Sequence, residues 1–196
     1  PINFDPGRIV GLGATLSPLN GCVLDDGRVV SCRVPRDWIV RFQMLEYSSA
    51  FVANRVGWSE LNAVPVLSGG GSCWRRDAIE ELGGFSRETT HEDLEMTIRL
   101  HEHFHRESRP YRIVYLPDNV LRTEVPHTWR GLYRQRKRWQ RTLFETVWRH
   151  RGMIFNPRYG TAGMLLMPYL LLYEALGPFV ELAAYALTIV LLLLGV

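Results

Sequence analysis

Lysine is nearly absent from this sequence. Lys137 stands alone among 23 basic residues, and the rest are arginine. Cysteine is scarce too. Cys22, Cys32 and Cys73 are odd in number and contain no C-x-x-C pair. That excludes a disulfide framework or a zinc ribbon, and the expectation is free, buried thiols in a reducing compartment. No basic stretch followed by an apolar one opens the chain, so no secretory signal is read there. The sequence starts at Pro1 and stops inside an apolar run, which marks it as an expected fragment of a longer chain.

What is present is unevenly placed. The net charge is only +3, but basic residues crowd the stretch 130–151, where Glu145 is the single acid. Such a cluster suits phosphate or anionic lipid; nucleic acid is not an expected partner. Residues 161–196 are apolar except for Glu174 and Glu181. A membrane helix needs about 20 apolar residues. The uncharged runs 159–173 and 182–196 fall short of that. The first is expected to lie in or dip into an interface, and the second to begin a spanning helix. The arginines before them favour a cytoplasmic side for the preceding domain. A buried core helix is the competing explanation of so apolar a run.

Elsewhere the pattern is that of an α/β domain. Strands are expected at 9–16, 64–67, 113–116 and 120–125. A hairpin is expected around Asp25-Asp26-Gly27-Arg28, where Asp-Gly supplies positive φ angles. Helical spacing runs from Asp37 to Val56, over 76–82 (closed by Gly83-Gly84), over 94–104 and over 129–149.

Four constellations carry chemistry. In Thr90-His91-Glu92-Asp93, Thr90 and Asp93 have the spacing of a helix capping box. Equally, Asp93 has the chemistry of a general base that takes a proton from an attacking hydroxyl, with Glu92 orienting the site. Gln135, Arg138 and Trp139 share a helical face. They offer an amide, a guanidinium for a diphosphate and an indole for a sugar ring, or else a basic face for a membrane surface. Ser68-Gly69-Gly70-Gly71-Ser72 lets a ligand approach the backbone, or is a plain turn. It is not a Walker loop, since no Gly-Lys-Ser/Thr follows. Finally, His101-Glu102-His103-Phe104-His105 matches the zincin pattern H-E-x-x-H, with no third ligand at a suitable spacing.

The order of these pieces matters more than any one of them. A strand into Gly-Gly-Gly-Ser is followed by Arg75-Arg76-Asp77, Gly83-Gly84-Phe85, His91-Glu92-Asp93, Gln-x-x-Arg-Trp and apolar helices. It resembles the processive family 2 glycosyltransferases, the group of cellulose, hyaluronan and poly-N-acetylglucosamine synthases. His91 stands where that family usually carries threonine. The resemblance implies part of a GT-A, Rossmann-like α/β domain over residues 1–152, followed by interfacial and transmembrane helices over 153–196. It implies an inverting hexosyltransferase of the multi-pass inner membrane, with its catalytic domain cytoplasmic. The enzyme would use a nucleotide-sugar donor and a glycan or lipid-linked acceptor in contact with membrane lipid. Asp93 matches the catalytic base. Gln135, Arg138 and Trp139 match the motif holding the nucleotide diphosphate and the acceptor end. Gly70, Gly71 and Ser72 match the acceptor-lining segment, with Glu92 also in contact with substrate. The family's divalent cation, Mg or Mn, is held by a D-x-D motif that this sequence lacks, so the ligands are expected outside it and the chain alone is expected to be inactive. The alternative is a non-enzymatic basic module that binds a membrane surface or a partner chain.

Overall fold

A computed structural model describes residues 6–86, 89 and 92–194. Its elements are strands β1 (Ile9–Pro18), β2 (Cys22–Asp25), β3 (Arg28–Cys32), β4 (Ser72–Trp74) and β5 (Arg112–Thr123), with helices α1 (Trp38–Tyr47), α2 (Arg55–Glu60), α3 (Arg76–Glu81), α4 (Glu92–Arg106), α5 (Trp129–Arg149), α6 (Met167–Tyr169) and α7 (Gly177–Leu193). The mixed α/β architecture is consistent with a partial GT-A domain.

The central sheet has the order β4-β1-β5. β1 runs antiparallel to β4 and parallel to β5. Pro117-Asp118-Asn119 is not the turn between two strands that its composition predicts. β5 is continuous, and the pairing jumps from Ala14↔Leu116 to Thr15↔Asn119. The extra residues are absorbed as a bulge, which also accommodates a proline that has no N–H to donate.

Residues 64–67 do not form a strand either. Val64 and Leu67 are fully buried, which is what their apolar character signalled. Their backbone is served by α4 side chains: Leu67 N–H donates to Thr97 Oγ1 at 3.1 Å, and the Val64 carbonyl accepts from His101 Nε2 at 3.0 Å. The free edge of β5 is met by side chains as well. Ser59 Oγ accepts from Tyr115 N, and Asn62 Oδ1 accepts from Ile113 N.

The helix expected from Asp37 is present. Asp37 caps it by accepting from Ile39 N at 2.9 Å, and it continues through a π-helical stretch, Ser48–Asn54, into α2. The β2–β3 hairpin turns at Asp26 and Gly27, both with positive φ. Here the thiol expectation fails. Cys22 lies opposite Cys32 in the ladder and the two form a disulfide, while Cys73 is free but exposed. Sequence spacing alone did not place two sparse cysteines across one hairpin.

α4 lies between two apolar cores. Met96, Leu100 and Phe104 recur at i, i+4 and i+8 and enter the first, with Leu67, Ile113 and Tyr115. Ile98 enters the second, with Leu143, Val147, Met153, Leu166 and Met167. α5 is capped by Thr128, whose hydroxyl accepts from Gly131 N. No single helix among the described residues is long and apolar enough to cross a membrane. Ala162–Ala175 and Gly177–Leu193 meet that requirement only as a pair bent by 41°. α7 contributes no buried residue.

Candidate active site

The acid motif and the glycine segment come together. Asp93 sits in the first turn of α4, where Oδ1 accepts from Leu94 N at 2.8 Å. Its other oxygen, Oδ2, accepts from the backbone N–H of Gly69 at 3.1 Å. The Asp93 carbonyl accepts from Thr97 Oγ1 at 2.7 Å. Thr97 therefore ties the base of α4 to Leu67, just ahead of the glycines. Thr90 and His91 lie outside the described residues.

Ser68 is held from behind. Arg55 Nη1 donates to its hydroxyl at 2.6 Å, and the guanidinium lies 4.0 Å above the Phe51 ring. Burial pushes the Arg55 group below its ordinary range; Tyr115 and the Asp93 carboxylate oppose that shift. No sequence pattern singled out Arg55, since a lone arginine in a helical run carries no signal.

Gly69, Ser72, Trp74, Phe85, Ser86, Glu92 and Asp93 line one cavity of about 590 Å³. Trp74 and Phe85 meet edge to face, with ring centroids 6.0 Å apart, and Trp74 Nε1 donates to Ser72 Oγ at 2.9 Å. The result is a carboxylate pair beside an aromatic wall, a combination suited to a sugar ring. Gly70 and Gly71 do not line this cavity. They are small for another reason: a Cβ on Gly71 would lie 3.3 Å from the Ala14 carbonyl, and one on Gly70 would lie 3.1 Å from Leu121 Cδ2. The glycines let the turn lie flat on the sheet.

The Gln-x-x-Arg-Trp residues lie on α5 and do not line the cavity. Gln135 and Trp139 are half-buried while Arg138 is exposed. Trp139 packs against the same core as Leu121 and Trp74. The buried Oε1 of Gln135 has no hydrogen-bond partner among the described residues. The guanidinium stacked on Trp139 belongs to Arg136, at 4.6 Å, and Arg136 also forms a two-pronged ion pair with Glu46 of α1. Arg136 falls outside the i, i+3, i+4 spacing of Gln135, Arg138 and Trp139.

The zincin pattern dissolves. His101 is fully buried, with Nε2 donating to Val64 O and Nδ1 accepting from Tyr111 Oη at 2.6 Å. Both ring nitrogens are committed. Among the described residues no group of three or more His, Cys, Asp or Glu side chains is placed to hold a metal ion. The described residues do not fit the divalent cation that the family resemblance implies.

Several known glycosyltransferases are similar in sequence to parts of this chain. "Probable glucomannan 4-beta-mannosyltransferase 3" of Arabidopsis thaliana is 29% identical over 101 residues, covering 52% of this chain and 17% of that protein. "Probable glycosyltransferase YdaM" of Bacillus subtilis (strain 168) is 33% identical over 84 residues, covering 43% of this chain and 18% of the relative. "Glucomannan 4-beta-mannosyltransferase 1" of Oryza sativa subsp. japonica is 26% identical over 133 residues, covering 60% and 24%. The chain thus matches less than a quarter of the length of these relatives. A family model described as "Glycosyl transferase family group 2" matches residues 27–196, a span that takes in the glycine turn, the acid motif and the basic helix alike, and the chain belongs to that family.

Proposed function

We propose that the protein carrying this chain is an inverting glycosyltransferase. It moves a hexose or N-acetylhexosamine from a nucleotide sugar to a growing polysaccharide or lipid-linked acceptor. The observation that supports this reading most directly is the Asp93 carboxylate, tied by one oxygen to Gly69 N–H at the wall of a cavity that also holds Trp74 and Phe85.

In this reading the acceptor hydroxyl lies against Asp93, and a ring of the glycan rests on the aromatic wall. Each Asp93 oxygen accepts one backbone N–H and keeps lone-pair capacity for a further proton. As the acceptor oxygen attacks the anomeric carbon, Asp93 takes its proton. A new C–O bond forms, the bond from the anomeric carbon to the diphosphate breaks, and the nucleoside diphosphate leaves with the electron pair. Glu92, on the same cavity wall, contacts the acceptor. Gln135, Arg138 and Trp139 hold the diphosphate and the acceptor end.

Residues 1–152 form the acceptor side of the GT-A domain. Residues 153–196 are the interfacial and membrane part, with α7 against lipid. Donor and cation ligands come from sequence outside this chain, so no step is assigned to a metal here and the chain alone does not turn over. The test is Asp93→Asn in the full-length protein, assayed in membranes with a panel of nucleotide sugars. Transfer should disappear while nucleotide binding persists. Turnover by the variant at the wild-type rate overturns the assignment.

A further inference from the structure

The helix that bears Asp93 and the helix that bears Gln135, Arg138 and Trp139 are joined at a buried polar contact that includes none of these four residues. His150 stands at the C-terminal end of α5, its backbone N–H donating to Thr146 O. Its ring turns inward and is only 5% exposed. Nδ1 lies 2.6 Å from Glu102 Oε2, and Nε2 lies 3.6 Å from Glu95 Oε1. Both carboxylates belong to α4, and Glu95 is two residues from Asp93. Glu95 is 1% exposed, so without cationic neighbours it would be a stranded buried charge.

We propose that His150 is a positioning residue for glycosyl transfer: its protonated ring, held between Glu102 and Glu95, fixes the Asp93 helix against the Gln-x-x-Arg-Trp helix, and losing that proton slackens the contact. The proposal rests on the transfer reading above.

The surrounding charges bear on the proton. From α4, Arg99 contacts Glu95 at 3.1 Å, Arg106 contacts Glu102 at 2.7 Å, and His103 lines a second cavity, of about 530 Å³, together with Glu95, Glu102 and His150. From α5, Arg149 lines it too. Tyr159, in the turn after α5, bonds to Arg106. Burial disfavours the charged ring, but the two carboxylates outweigh it and hold the His150 pKa above its ordinary value. The same contact holds Glu102 below the usual carboxylate range, so both partners favour the ion pair. A histidine with a raised folded pKa contributes fully at and below its ordinary value of 6.5, and its contribution is lost as pH rises through the folded value. Transfer should therefore carry an alkaline limb that belongs to a residue touching no substrate.

The experiment measures kcat and donor KM against pH in membranes containing the full-length protein, for wild type, His150→Gln and Glu102→Gln. Expected for Glu102→Gln is an alkaline limb displaced to lower pH, with donor KM unchanged, because one of the two carboxylates sustaining the imidazolium is gone. Expected for His150→Gln is loss of that limb and a kcat about ten- to a hundredfold lower, the scale set by small misplacement of a reacting group. If His150→Gln does not accumulate, the displaced limb in Glu102→Gln decides the matter alone. An alkaline limb identical to wild type in Glu102→Gln overturns the proposal while wild-type transfer leaves the transferase reading standing. A wild-type protein that transfers no sugar overturns that reading, and this proposal with it.

Discussion

Gly69 donates its backbone N–H to Asp93 Oδ2 at 3.1 Å, so the glycine turn and the acid motif, 24 residues apart in sequence, share one hydrogen bond. The bond constrains what a substitution at Asp93 does. An asparagine side-chain oxygen accepts from the same N–H, while its amide nitrogen replaces the oxygen that accepts from Leu94 N. Asp93→Asn should therefore lower folding stability by about 1 kcal/mol, the scale of one lost hydrogen bond. It should lower transfer by about 10²–10⁴-fold, the contribution of a positioned general base. Thermal unfolding and a radiolabelled transfer assay on the same preparation separate the two. A large loss of stability would mean that the residue is chiefly a structural cap.

Arg136 and Arg138 should behave in opposite ways. Arg136 clamps Glu46 and stacks on Trp139, with both charged side chains about one-third exposed. Arg136→Ala should cost about 1 kcal/mol of stability, reduced from a buried pair by solvent screening. Arg138 is exposed, and no hydrogen bond or ion pair holds it among the described residues. Arg138→Ala should shift stability by no more than about 0.5 kcal/mol. It should weaken acceptor or nucleoside diphosphate binding by about ten- to a hundredfold, the scale of a lost charged hydrogen bond. Denaturant midpoints and product-inhibition constants test the pair together. Unchanged kinetics in Arg138→Ala would reduce the motif to a basic surface.

α7 offers a third test. Leu187 and Val190 are 59% and 49% exposed. Replacing both with aspartate should leave the unfolding midpoint of the α/β part nearly unchanged and abolish flotation with liposomes, because charge is costly in an apolar interface. A collapse in stability with flotation retained would show that this face packs against protein.

Much of this was legible in the sequence because the signals are local. The helical period of 129–149 marks α5 to the residue, and Asp26-Gly27 marks the hairpin. The failures come where one sequence signal has two physical outcomes. The apolar run 64–67 predicts burial correctly but not pairing, since Thr97 and His101 satisfy its backbone from a helix. Gly70 and Gly71 signal either a close ligand or a close turn, and a Cβ on either would press on the sheet or on Leu121. Trp74, Phe85 and Arg55 complete the candidate site only through the tertiary fold. The Glu95–His150–Glu102 contact brings α4 and the end of α5 together with no spacing rule to announce it.

His101 supplies the last prediction, opposite in sign to that for His150. Burial pushes its pKa down to about 4 from an ordinary 6.5, and the ring is held neutral between Tyr111 and Val64. The unfolded chain takes up a proton there below pH 6.5 that the folded chain refuses until about pH 4. Stability contributed by this site is thus complete above 6.5 and falls as pH drops through that window, by about 3 kcal/mol in all. In His101→Gln, an amide can donate to Val64 O and accept from Tyr111 Oη but does not titrate. The variant should be less stable than wild type at pH 7.5 by about 1–3 kcal/mol, because the smaller side chain fits the ring's site poorly. Its stability should then fall less steeply with acid, so that the two curves converge toward pH 4. Urea unfolding of both proteins at several pH values measures the difference. Parallel curves would mean that the ring titrates alike in the folded and the unfolded chain, so that burial between Tyr111 and Val64 does not hold it neutral.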